Sequence, residues 1–141
     1  MYRYLVVANR TLAGSHLLET LTELTTHGRC AFHVVVPAEH ARDHAWTDGQ
    51  AHATAEARLQ QALARFGALD AAVDGEVGDG DPAMAVEDVL TRGDRFDGIV
   101  VSTLPPGPSR WLKLDLPNRL RGRTGLRVIH VIGQPEPAAA R

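Results

Sequence analysis

Cysteine is almost missing from this sequence: Cys30 is the only one in 141 residues, so no disulfide can close within the chain and no thiolate cluster can hold a metal. Lysine is as scarce, Lys113 standing alone among fifteen basic residues of which the rest are arginine. Aromatic residues make up only 5%. No apolar run approaches the roughly 20 residues that a membrane-crossing helix needs. Met1 to Ala8 leads straight into a short apolar strand pattern, without the longer apolar core or cleavage site of a secretory leader. A net charge of −2 gives no global attraction to nucleic acid. The expectation is a soluble, cytoplasmic chain with no nucleic-acid or membrane partner, and a reducing compartment suits its single thiol.

An apolar content of 44% is ample for one globular domain. Residues 1–133 read as that domain and 134–141 as a disordered C-terminal tail. Charge is unevenly spread. Nine acids between Asp70 and Asp97 face only Arg92 and Arg95, whereas six bases between Arg110 and Arg127 face only Asp115. Two solvated helix faces explain this, and so does a basic mouth for an anionic ligand or a self-complementary contact between subunits. The preference for Arg over Lys, together with abundant Ala, also fits a residue bias imposed by a GC-rich genome.

Periodicity predicts alternating strands and helices. Tyr4 to Ala8 is apolar throughout, as a strand covered on both faces must be. Leu17, Leu18, Leu21 and Leu24 then recur at helical spacing until His27-Gly28. Ala31 to Val36 is a second strand, stopped by Pro37, and residues 37–50 read as a loop. A second helix is expected from about Ala51 to Phe66, and a weaker strand from Ala71 to Val77 interrupted at Asp74-Gly75. Asp81 suits an N-cap with Pro82 at the first helical position, and Gly93 closes that helix. Gly98 to Ser102 is the clearest strand. A helix opening at Ser109, with Pro117 inside it or at a break, precedes the fifth strand, Arg127 to Ile132. Short connections between parallel strands require right-handed helical crossovers, which put helices on both faces of the sheet. A doubly wound α/β sheet binds ligands beyond the carboxyl ends of its strands, where the strand order reverses. That rule selects three loops: 9–14, 37–50 and 102–109.

Four segments, in order, resemble the universal stress protein family over residues 3–132. Leu5-Val6-Val7-Ala8-Asn9-Arg10-Thr11 resembles its first strand and Asp-Gly-Ser turn, and Phe32-His33-Val34-Val35-Val36-Pro37 its second strand. Val77-Gly78-Asp79-Gly80-Asp81-Pro82-Ala83 resembles its entry to the third helix, and Asp97-Gly98-Ile99-Val100-Val101-Ser102 the strand ahead of its phosphate loop. The resemblance implies an adenine-nucleotide-hydrolase-like five-stranded parallel sheet in the order 3-2-1-4-5. It also implies a homodimer formed through the last strand, Val128 to Ile132, which is apolar on both faces. Family members that bind ATP carry Gly-x2-Gly-x9-Gly followed by Ser or Thr. Here Ser102 and Pro105 stand at the first two glycines and Asp115-Leu116 near the third. Proline has no amide to donate and an aspartate would repel phosphate, so the family's grip on ATP is lost.

The residues expected at the ligand site are therefore Ala8, Asn9, Arg10, Thr11, Ser102, Thr103, Gly107, Ser109 and Arg110, with Val34 offering its backbone to an adenine-like ring by resemblance. Free amides at the Ser109 helix start plus the Arg110 and Arg10 guanidiniums make an anion cradle, unless Ser109 only caps the helix and Arg110 is solvated. His40 and His44 would share a face if their loop were helical, a spacing open to metal binding or to a polar lid. His33 and His130 read as satisfied strand histidines, and Trp46 and Trp111 as platforms for a planar ligand or as packing. Gly14-Ser15-His16 lacks a nucleophile-elbow frame. Three functions remain: a non-catalytic stress or regulatory module holding a nucleotide resembling ATP or AMP, or another small anion, weakly or not at all; an ATP-binding, slowly hydrolysing switch; and an interaction scaffold. No cofactor is required by the first.

Overall fold

The computed structural model describes residues 1–39 and 47–134. It is an α/β sheet of five parallel strands in the order β3-β2-β1-β4-β5, where β1 is Tyr2–Val7, β2 Cys30–Pro37, β3 Ala71–Gly78, β4 Gly98–Thr103 and β5 Arg127–Ile132. The helices are α1 (Ser15–Thr26), α2 (Asp48–Phe66), α3 (Pro82–Leu90), α4 (Arg110–Lys113) and α5 (Leu116–Thr124). Of the tail expected at 134–141, only Gln134 is among the described residues.

The period-two alternation of each strand divides the apolar residues between two layers. Tyr4, Val6, Ala8, Phe32, Val34, Val36 and Val100 face one way and meet Leu17 and Leu21 of α1 and Ala55, Leu59, Ala62 and Phe66 of α2. Leu5, Val7, Val35, Ile99 and Val101 face the other way, against Val86 and Val89 of α3, Trp111 of α4 and Leu116 and Leu120 of α5. Cys30 is buried where α1 gives way to β2, its thiol near the carbonyls of Leu24 and Gly28.

Local chemistry sets the boundaries, and several differ from expectation. The loop placed at 37–50 ends earlier, because α2 begins at Asp48. Thr47 accepts from the Gln50 amide (3.2 Å) while the Gln50 side chain accepts from the Thr47 amide (2.8 Å), a reciprocal capping box. β3 is not interrupted at Asp74-Gly75: it pairs with β2 without a break, Gly75 standing opposite Val34. A Cβ at Gly75 would come within 2.7 Å of Leu59 Cδ1 and 2.6 Å of the Val34 carbonyl oxygen, so glycine there lets α2 settle onto the edge strand. The helix opening at Ser109 lasts one turn. The ring of Pro117 would collide with the carbonyl of Lys113 in a continuous helix, and Asp115 breaks it in a left-handed conformation (φ 53°). Asp81 caps α3 by accepting from Ala83 N at 2.9 Å, with Pro82 next, as expected; the helix itself stops at Leu90, with Thr91 and Arg92 between it and Gly93.

Candidate functional site

Strand order reverses between β1 and β4, so the loops leaving the carboxyl ends of β1, β2 and β4 meet above the sheet. The structure brings Ala8, Asn9, Thr11, Ser102 and Thr103 together there, all buried. Asn9 Nδ2 donates to the Pro37 carbonyl (2.8 Å), and Arg58 of α2 donates to Asn9 Oδ1 (2.7 Å), so this side chain ties β1 to β2 and to α2. Thr11 and Ser102 share a hydrogen bond of 2.6 Å across the β1–β4 gap. Thr103 Oγ1 lies 2.8 Å from His130 Nε2, and burial, aided by the charge of Arg121, holds that imidazole below its usual pKa. The chain leaving β5 closes over this pair: Gly133 N donates to Thr103 O (2.8 Å), and a Cβ on Gly133 would stand 2.9 Å from Thr11 Cβ. His16 Nδ1 donates to the Ile132 carbonyl (3.0 Å), fixing the same crossing against α1.

Ser109 is buried and caps α4, accepting from Leu112 N at 3.1 Å, while its own amide donates to Pro105 O. One turn of helix offers little dipole, and the Ser109 hydroxyl oxygen is taken by the Leu112 amide. Gly107 lies in the exposed loop with a positive φ of 99°. Val34 sits in mid-strand, flanked by Val6 and Gly75 and packed into the core, away from the loops.

Arg10 and Arg110 are exposed, and neither has a hydrogen-bond or ion-pair partner among the described residues. What they share is Glu39, half-buried just beyond the end of β2. Trp111, buried, donates its indole N–H to Glu39 Oε2 at 2.7 Å, joining the loop after β4 to the loop after β2 over the end of β1. Burial pushes the Glu39 carboxyl above its usual range, opposed by the Trp111 hydrogen bond and by the charges of Arg110, Arg10 and Arg58. The charges of guanidiniums from three elements thus act on one carboxylate. Glu39 and Arg58 were not among the expected site residues. An acid two residues past a strand-ending proline at the switch point was a legible signal for Glu39; nothing in the spacing of α2 singled out Arg58.

The remaining expectations fall elsewhere. His33 lies in mid-sheet, its Nδ1 2.8 Å from Asp74 Oδ1 and its Nε2 2.7 Å from Glu76 Oε2, with Arg92 also paired to Glu76, so this cluster fastens the edge strand β3. The acidic and basic stretches touch within the chain through Arg123 Nε and Glu87 Oε1 (3.3 Å). His40, His44 and Trp46 lie outside the described residues. Among the described residues no group of three His, Cys, Asp or Glu side chains is arranged to hold a metal, and no helix is long and apolar enough to cross a membrane. No family model matches the chain, and no curated protein matches it.

Proposed function

We propose that this chain is a non-catalytic regulatory module of the universal-stress-protein type, whose switch-point cleft holds a small anion or nucleotide weakly. The order of its four family-like segments and its 3-2-1-4-5 parallel sheet support the kinship. The observation that carries the binding function is the position of the exposed Arg10 and Arg110 on the loops leaving β1 and β4 at the switch point, beside Asn9 and beside the Trp111–Glu39 hydrogen bond. Tight triphosphate capture is disfavoured because Ser102, Thr103 and Ser109 are engaged by Thr11, His130 and Leu112, and Pro105 presents no amide. The module works in a reducing, cytoplasmic setting as a homodimer, with β5 as its contact. Among the described residues β5 pairs with β4 alone, which leaves its other edge without a strand, and Ile132 is 47% exposed.

A thermal-shift panel of ATP, AMP and inorganic phosphate tests the reading, because a ligand specific for the folded state raises the melting temperature. Small, salt-sensitive shifts that vanish in Arg110→Ala are expected. No shift from any anion removes the binding function, and a large ATP-specific shift replaces it with an ATP-dependent switch. A monomer in gel filtration at micromolar concentration removes the β5 dimer.

A further inference from the structure

The chain that leaves β5 crosses the switch point, over the place where a doubly wound sheet receives its ligand. Gly133 lies against the Thr11–Ser102 pair: a Cβ there would stand 2.9 Å from Thr11 Cβ and 3.1 Å from Ser102 Oγ. Gln134 follows beside Gly14, where a Cβ would come within 3.0 Å of the Gln134 carbonyl oxygen. Beneath the crossing, Thr11 and Ser102 are each only 1% exposed, so whatever reaches their hydroxyls must first move the chain above them.

Two features bear on what this crossing does. The first is its light fastening. Ile132 and Gln134 are exposed and Gly133 has no side chain, so the crossing buries no large apolar group of its own. The Gly133 amide donates to Thr103 O (2.8 Å), and His16, itself exposed, donates to the Ile132 carbonyl (3.0 Å). A segment with few buried contacts opens without the rest of the fold. The second feature is an unspent donor. Two hydroxyls carry two protons, and the 2.6 Å bond between Thr11 Oγ1 and Ser102 Oγ uses one of them. The other proton has no acceptor among the described residues, and a buried donor in that state gains from an arriving anionic oxygen.

We infer that Gly133-Gln134 is an autoinhibitory strap: closed, it shuts the spare hydroxyl proton away from solvent, and an anion reaches the Thr11–Ser102 pair only when the strap lifts. This assignment rests on the reading of the switch point as an anion site and adds its regulation. Affinity is then scaled down by the fraction of molecules in which the strap is open.

Hydrogen exchange and calorimetry on the full chain test it, with inorganic phosphate as the probe. The Gly133 amide should exchange at least about a hundredfold faster than that of Val6 in the central strand β1, because the strap opens by itself. Saturating phosphate should speed Gly133 exchange further, since the bound form is the open one. Gly14→Ala presses Gln134 outward, and His16→Ala releases the Ile132 carbonyl. Each should tighten phosphate binding by about three- to tenfold, the scale of one hydrogen bond removed from the closed form. Adding Thr11→Val and Ser102→Ala, which removes both hydroxyls, should cancel that gain. Urea unfolding confirms that each variant is folded, and the exposed His16 keeps the test standing if Gly14→Ala is not.

Gly133 exchange no faster than that of Val6 overturns the strap and leaves the anion site standing. So does phosphate binding that is equal or weaker in both loosened variants, or a gain that survives loss of the two hydroxyls. Phosphate binding to none of these proteins overturns the anion site, and the strap with it.

Discussion

In one half of the switch point, Thr11, Ser102, Thr103 and Ser109 are buried and hydrogen-bonded within the chain; in the other, Glu39 is half-buried and Arg10 and Arg110, from the loops after β1 and β4, are exposed. Both halves are built from polar residues at strand ends, yet they use them in opposite ways. Small hydroxyls fit between packed strands and bond to partners within the chain, which stabilises the fold. Long guanidiniums cannot be buried without cost, so they stay at the surface, where they add little stability and keep their charge in solvent. Polar residues at a switch point are therefore not interchangeable evidence for binding; burial and partner decide which of them are available.

Four perturbations sharpen that contrast, in descending order of expected effect. Trp111 joins the two halves, packing under one and hydrogen-bonding the other. Trp111→Ala should cost about 3–5 kcal/mol in urea unfolding, as for other large-to-small changes in a core, whereas Trp111→Phe should cost about 1 kcal/mol, chiefly the lost N–H. Gly133→Ala pushes a methyl into Thr11 and Ser102 and should lower stability by about 1–3 kcal/mol by the same assay; a neutral result would mean that the β4 half is not closed as described.

The third perturbation is pH. Burial tends to raise Glu76, but hydrogen bonds from Arg92 and His33, with their charges, outweigh it and hold the carboxyl below its ordinary range. Its contribution to stability is present above the unfolded carboxylate pKa and is lost as pH falls through the folded value. Glu39 has the opposite sign: burial raises it, so its contribution is complete below the unfolded pKa and is lost as pH rises through the folded value. Denaturation curves between about pH 3 and pH 7 should therefore flatten in the acid limb for Glu76→Gln, and Glu39→Gln should gain relative stability toward neutrality. Matching profiles for the two variants would contradict the assigned environments. The smallest effect is expected from Arg110→Ala, within about 0.5 kcal/mol of the unmodified protein in unfolding although it abolishes the anion response.

The strands were legible because both faces of each are covered, which leaves near-continuous apolar runs such as Val34-Val35-Val36 and Ile99-Val100-Val101. The Asp81-Pro82 helix start was equally readable, whereas the strand order was expected only from the resemblance. What escaped was whatever depends on a distant partner. Gly75 looked like an interruption of β3 until Leu59 was seen packed over it. Thr47 and Gln50 form a local capping signature that a loop reading of 37–50 passed over. In the candidate site, Arg10 and Arg110 were found from their loops, but Glu39 needed the indole of Trp111, 72 residues away, to mark its place. The hydroxyls were placed at the strand ends from sequence, but a sequence cannot show that Ser102 lies against Thr11.

Cys30 carries a consequence of a different kind. Its thiol lies between the last turn of α1 and the start of β2, near the carbonyls of Leu24 and Gly28, and burial holds its pKa above the usual value. Thiolate is the reactive form, so sulfur in this position is chemically silent while the fold is intact. Alkylating reagents can reach it only when the end of α1 lifts away, and the rate of its labelling becomes a clock for that opening, one built into the chain without any added probe.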